Sequence, residues 1–394
     1  MKTFKKIFTG ILLFLVAAVL LIYAFNYDYI FKAIKTTWLS GHATAHIDDH
    51  TEFETRKIEA GDPQPWPLHQ NYNQVTPTPE LEKINRELQT VAFLIIKNDS
   101  IWFEEYREEY GPDSRTNSFS IAKSVTAALL GKAISEGYID SLEQPVADYF
   151  PQFDRRLTVG DLASMSSGLN WDENYFNPFS MNARAYFGED IREQVLSLKV
   201  VQGPGEEFEY LSGNTSLLAM ILEKATGKKL SNYLSESFWK PMGMRSDALW
   251  QLDSKESGLE KAYCCIASNA RDLARFGKLY KDFGKWNGEQ LLDSAFIATS
   301  IRPRFEDSPH FGYGIWLAEK MGKNIFYMRG LFGQYVIVIP EDDLIIVRLG
   351  REHISKPEKQ AHHDDFYVYI EEVLKMTGQY DQKDIIKEPV IPGH

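Results

Sequence analysis

Strand-like segments cluster at the two ends of this chain, and the long stretch between them reads as helical. Residues 91–106 hold two β-rich runs around a turn at Asn98-Asp99, the pattern of a hairpin. After His310 four more such runs follow, at 312–318, 324–329, 335–339 and 344–349. Between them, 191–198, 215–226 and 269–283 repeat their apolar residues at helical spacing, and 363–376 closes the chain in the same way. Strands at both ends can bury their apolar faces only by pairing with one another. The order therefore predicts an α+β fold: one antiparallel sheet built from both chain ends, flanked by helices, with a mainly helical lobe inserted at about 125–305. A chain of 394 residues is long enough for one large domain or two intimately joined lobes.

The first 80 residues stand apart. The run from Ile7 to Phe25 has no charged side chain, Lys2, Lys5 and Lys6 precede it, and Tyr23, Tyr27 and Tyr29 stand at its far end. Length, basic flank and aromatic belt together read as a transmembrane helix over 1–28. No small-x-small cleavage site follows, so it reads as a signal anchor rather than a removed signal peptide, with the rest of the chain exported to the periplasmic or extracellular side. Residues 29–80, with Pro63, Pro65, Pro67, Pro77 and Pro79, read as a linker or wrapping arm ahead of a domain at 81–378 and a tail at 379–394. The arm's His42, His46, Asp48, Asp49 and His50 read as a polar loop, not a metal site.

Net charge of −12 and the lack of any basic aromatic patch exclude a nucleic-acid partner. Two adjacent cysteines, Cys264 and Cys265, are too few for a metal cage and too close to pair readily. No metal or other cofactor is implied, and neither a phosphate loop nor a dinucleotide fingerprint occurs.

The stretch Asn117 to Gly137 carries the chemistry. From Ile121 it reads as a buried helix, with Val125, Ala128, Leu129 and Ala133 at helical spacing. Ser120 and Lys123 lie one turn apart at its start, on one face. Free N–H groups and the positive dipole end suit an oxyanion forming beside Ser120. A serine needs a partner to take its proton, and a lysine neutralised by burial can do so. A second Ser-x-x-Lys, Ser237-Phe-Trp-Lys240, lies late in an amphipathic helix and lacks this context.

Two further pieces fit the same chemistry. Tyr210, Ser212 and Asn214 alternate ahead of a helix starting near Thr215, so in an extended loop they point the same way. A tyrosine whose pKa is lowered by a nearby ammonium can pass a proton to a leaving group, and an asparagine can orient a carbonyl. Gly330 and Gly333 sit inside a strand-like segment, where they let another chain approach closely. A strand edge beside Ser120 can donate the second N–H of an oxyanion hole.

Together, Ser120-Ile-Ala-Lys123, Tyr210-Leu-Ser-Gly-Asn-Thr215 running on to Gly227, Pro241-Met-Gly-Met244, Ala270 to Gly277 and Gly333 to Pro340 resemble, in family order, the penicillin-recognising serine hydrolases. These include class C β-lactamases, DD-peptidases, related esterases and 6-aminohexanoate-dimer hydrolases. The likeness covers roughly residues 85 to 376. It implies a hydrolase that cleaves a small-molecule amide or ester through an acyl-enzyme. Carried over, Ser120 is the nucleophile, Lys123 its general base and Tyr210 the acid/base for the leaving group. The backbone N–H groups of Ser120 and Leu331 form the oxyanion hole. Ser212, Asn214, Trp171, Glu173, Tyr175, Arg329 and Gly330 are candidate substrate contacts. Tyr210 and Asn214 stand four apart rather than at Tyr-x-Asn, closer to the 6-aminohexanoate-dimer hydrolase branch. Met328-Arg-Gly330 replaces the Lys-Thr-Gly that grips a penicillin carboxylate. The alternatives that stay open are a penicillin-binding or sensor module without turnover, and a DD-peptidase or β-lactamase proper. An α/β-hydrolase esterase is disfavoured, because no Gly-x-Ser-x-Gly occurs.

Overall fold

Two apolar strands from opposite ends of the chain meet at the centre of the main sheet. In the computed structural model, which describes residues 2–175, 177–355 and 360–380, β2 (Thr90–Lys97) pairs antiparallel with β12 (Leu344–Gly350), Leu94 opposite Val347. β3 (Ser100–Tyr106) flanks β2, and on the other side follow β11 (Gln334–Ile339), β10 (Lys323–Gly330) and β9 (Trp316–Lys320). All five pairings are antiparallel. This is the α+β sheet from both chain ends that the strand pattern predicts.

The central strands read as continuous apolar runs because both faces are covered. Leu94, Ile96, Val338 and Ile345 share a core with α4 (Ile121–Ser135) and α10 (Ala270–Lys281). Phe93, Ile95, Ile337 and Ile346 pack instead with α3 (Pro79–Glu87) and α12 (Asp364–Thr377). The period-2 alternation of each strand thus feeds two separate cores.

The helical lobe follows α4 and contains α5 (Val159–Ala163), α6 (Met181–Phe187), α7 (Ile191–Leu196), α8 (Ser212–Thr226) and α9 (Leu230–Leu234). α8 begins three residues earlier than its apolar spacing suggests, with Leu211 at its N-cap. That moves Ser212 and Asn214 from an extended loop onto a first helical turn. Two positions apart on a helix is about 200°, so their side chains diverge.

The arm is more structured than a linker. It forms α2 (Tyr29–Thr36) and then β1 (Thr55–Ile58), which pairs with β5 (Ala248–Gln251). With β6 (Ile266–Ser268) and β4 (Thr116–Asn117) these make a second sheet, ordered β1-β5-β6-β4, while β7 (Lys285–Trp286) and β8 (Glu289–Gln290) pair separately ahead of α11 (Ser294–Ser300). Thr-Arg-Lys-Ile carries a single fully buried side chain, Ile58, too weak a pattern to announce a strand. Cys264 and Cys265 also depart from expectation: they are joined in a disulfide between neighbours, with Cys265 in the left-handed region at φ 79°. That backbone turn brings the two adjacent thiols together.

The N-terminal helix α1 (Lys2–Ala24) has a span, Thr3–Ala24, long and apolar enough to cross a membrane, and none of it is buried. Its 22 residues reach about 33 Å, against about 30 Å of hydrocarbon core. The tail expected from 379 lies outside the described residues from 381 onward.

Candidate active site

The nucleophile candidate is held at a tight junction. β4 ends at Asn117, and Phe119 then takes a left-handed backbone at φ 47° just before Ser120, the N-cap of α4. Such a conformation costs about 1–3 kcal/mol for a bulky residue and persists only where neighbours enforce it. Asn117 Oδ1 enforces it here, accepting a hydrogen bond from the Phe119 amide at 2.9 Å. The Phe119 ring meets Phe332 edge-on with centroids 5.5 Å apart, and Phe332 is left-handed too, at φ 60°.

One turn into α4, Lys123 is 4% exposed, and its Nζ lies 2.9 Å from Ser120 Oγ. The same Nζ donates to the Tyr263 carbonyl at 2.8 Å. Burial lowers the Lys123 pKa from 10.5 to about 8; Glu173 opposes that shift and Arg329 adds to it. The apolar helix that the sequence displays is what desolvates the amine.

Tyr210 arrives from the helical lobe. Lys123 Nζ sits 5.0 Å from its ring centre. The ring packs on Trp316 at 5.2 Å and Phe311 at 6.0 Å. Its pKa moves opposite to the sequence expectation: burial pushes it up to about 12, although the neighbouring Arg329 and Ser120 pull it down. Desolvation outweighs the nearby cations. The phenol is therefore a proton donor at neutral pH.

A pocket of about 110 Å³ lies in front of Ser120 and Lys123, and Tyr210 is not among the residues that line it. Leu331, just after β10, lines it together with Ser120 and Lys123. Gly330 allows this approach, because a Cβ there would overlap the Ser118 carbonyl oxygen. Ser212 and Tyr175 also line the pocket, and both donate to Glu173: Ser212 through its amide (2.6 Å) and Oγ (2.7 Å), Tyr175 through its hydroxyl (2.5 Å). Arg329 stacks over Trp316, its guanidinium 3.7 Å from the ring centre, and donates to the Ala361 carbonyl at 2.9 Å.

Of the seven expected substrate contacts only Ser212 and Tyr175 line the pocket, and Asn214 and Trp171 are buried away from it. Asn214 is fully buried in the lobe, bonded to Ser167 Oγ and facing Met165 Sδ. It follows from the early start of α8, which rotates Asn214 off the side that Ser212 occupies. Trp171 is 4% exposed and packs against Gly213, its indole N–H donating to Asn182 Oδ1 at 2.8 Å. It stands behind a pocket residue rather than at the surface. The second motif does not assemble: Ser237 is buried, and Lys240 pairs with Glu59.

Several residues around the pocket carry no sequence signal. Tyr263 acts through its backbone carbonyl, which any residue supplies. Thr44 and Ala45 come from the arm, Tyr186 and Phe187 from α6. Asp49, in the loop read as merely polar, is fully buried and accepts hydrogen bonds from Asn117, Tyr186 and Gln251. Among the described residues no group of three or more His, Cys, Asp or Glu is placed to hold a metal ion.

The family model for beta-lactamases matches residues 73–364. The chain belongs to the beta-lactamase family. This beta-lactamase-family chain is 28% identical to the 6-aminohexanoate-dimer hydrolase of Paenarthrobacter ureafaciens over 73% of its own length and 78% of that protein's. It is 30% identical to the D-aminopeptidase of Brucella anthropi over 149 residues, 36% of this chain and 28% of that one. A Bacillus anthracis structure, provisionally described as a 6-aminohexanoate-dimer hydrolase, shares the fold at TM-score 0.72 and 22% identity, covering 86% of this chain and 93% of its own. The octameric penicillin-binding protein homologue of Pyrococcus abyssi does so at TM-score 0.56 and 20% identity, over 77% of each chain. The beta-lactamase-family chain is a serine hydrolase.

Proposed function

We propose that this serine hydrolase cleaves an amide or ester through an acyl-enzyme on Ser120, on the exported side of a membrane to which α1 anchors it. The observation that carries the reading is the 2.9 Å contact between Ser120 Oγ and a buried lysine whose pKa has fallen to about 8. At pH 7 roughly one amine in ten is then neutral, at a cost of about 1.4 kcal/mol. Neutral Lys123 takes the Ser120 proton as Oγ bonds to the substrate carbonyl carbon. The N–H groups of Ser120 and Leu331 hold the oxyanion. Tyr210, protonated at this pH, donates to the departing amine or alcohol as the C–N or C–O bond breaks. Tyr210, now a phenolate, takes a proton from water as the water oxygen bonds to the acyl carbon, and Lys123 returns its proton to Ser120 Oγ as the acyl C–O bond breaks and the acid leaves. A base lowered towards neutrality beside an acid raised away from it is the division such chemistry needs.

The likeness to the 6-aminohexanoate-dimer hydrolase of Paenarthrobacter supports amide substrates, since two amino acids join through an amide. Export is supported by the basic flank of α1, which favours the cytoplasmic side. The deciding experiment is labelling by a fluorophosphonate followed by turnover of p-nitrophenyl esters, a linear amide dimer, a D-amino-acid amide and nitrocefin. Labelling that needs Ser120, with multiple turnovers on an ester or amide, supports the reading. A burst without turnover overturns it in favour of a module that stays acylated.

A further inference from the structure

The helix that can span a membrane is tied to the wall of the pocket in two places, through the chain from Ala24 to Ala45 and through a contact on the loop before α6. In the first, α1 ends at Ala24 and α2 begins at Tyr29, with Tyr27 N still bonded to the Ile22 carbonyl. α2 packs on α6, and buried Tyr29 donates to the Pro178 carbonyl at 3.0 Å. A connection this short, docked at once, leaves the domain little freedom to swing away from the end of the span. The same chain then passes Trp38 and Leu39, 73% and 78% exposed, and reaches Thr44 and Ala45 in the pocket wall.

The second tie lies on the loop before α6. Tyr27 meets Phe179 edge-on at 5.2 Å, and Tyr175, four residues earlier, lines the pocket. Four residues span at most about 14 Å. Headgroup layers add roughly 5–8 Å on each side of the hydrocarbon. Phe179 is 57% exposed and Tyr175 51%, and Tyr23 of α1 meets Phe31 of α2 with ring centres 5.9 Å apart. Large apolar side chains left in the open next to a helix with no buried residue need a common cover, and lipid is the cover that suits that helix.

We infer that the pocket mouth lies at the membrane interface and that the substrate is a bilayer-held amphiphile, a long-chain acyl ester or amide. The inference rests on the proposed function and adds the source of the substrate. The acyl carbon bonds to Ser120 Oγ, the head portion leaves with the proton from Tyr210, and water frees the fatty acid. The apolar lining from Ala45, Phe119, Phe187 and Leu331 suits the first few carbons of such a chain, while the rest stays in the bilayer.

The test uses the full chain in phosphatidylcholine vesicles, with p-nitrophenyl acetate in solution and p-nitrophenyl palmitate in the bilayer. The variant carries Leu39→Asp and Phe179→Asp, neither in the reacting machinery. The variant is expected to keep acetate turnover within twofold and lose at least tenfold on palmitate. Should the aspartates unfold the domain, Leu39→Ser with Phe179→Ser reads the same split. Equal palmitate rates for variant and wild type overturn the inference while leaving the hydrolase intact. Turnover of neither ester by the wild type overturns the hydrolase reading and this inference with it.

Discussion

The Tyr186 hydroxyl donates a 2.5 Å hydrogen bond to Asp49 across 137 residues of sequence. The bond ties a wall of the pocket to the segment that follows the N-terminal helices. The same carboxylate accepts from Asn117 Nδ2 at 3.1 Å, and Asn117 holds the Phe119 amide next to Ser120. Asp49 thus braces both sides of the site without touching the pocket itself. Asp49→Ala would leave three buried donors without their acceptor, at about 1–3 kcal/mol each before relaxation. A loss of about 3 kcal/mol in chemical denaturation is expected, with Asp49→Asn milder. A midpoint unmoved by Asp49→Ala would show that the arm does not brace the domain.

Fluorophosphonate labelling separates the two Ser-x-x-Lys copies. Ser120→Ala should abolish it, because Lys123 then has no hydroxyl to activate. Ser237→Ala should leave it intact, since Lys240 is committed to Glu59. Mass spectrometry of the labelled peptide checks both.

Lys123 sets the pH dependence. With its pKa at about 8, kcat/KM should climb with pH below that value and level off above it. Tyr210, at about 12, stays protonated through the usual range, so no alkaline fall is expected before about pH 11. A flat profile between pH 6 and 9 would remove Lys123 as the base.

The same residue links activity to stability. A lysine whose folded pKa is depressed below 10.5 penalises the folded state at every pH below about 8. The penalty fades as pH rises towards 10.5, where the unfolded chain also loses the proton. The difference corresponds to about 3 kcal/mol, offset by about 1 kcal/mol from the hydrogen bonds to Ser120 and Tyr263. Lys123→Met should therefore be inactive yet about 2 kcal/mol more stable at pH 7. Paired melting curves and ester assays read this directly, and a destabilised Lys123→Met would contradict it.

Tyr210→Phe should discriminate by leaving group. A phenol that protonates the departing atom matters little when that atom leaves readily as an anion and greatly when it is an amine. The expected loss is about 10²–10⁴-fold on an amide and much smaller on a p-nitrophenyl ester. Equal losses on both would make Tyr210 a packing residue of the Trp316 and Phe311 cluster.

The sequence by itself determined the sheet from both ends, the helical lobe, the apolar N-terminal span and the Ser120–Lys123 pair. Each rests on local periodicity: alternating strands, a 3.6-residue repeat, two side chains one helical turn apart. Tertiary structure decided the rest, because burial and long-range contact have no local signature. Desolvation, which no spacing encodes, drives the Lys123 pKa down and the Tyr210 pKa up. A helix start three residues earlier sent Asn214 into the lobe and kept Ser212 at the pocket. Asp49, Thr44, Ala45 and the Tyr263 carbonyl reach the site only because the chain folds back on itself, bringing residues more than a hundred positions apart within hydrogen-bonding distance.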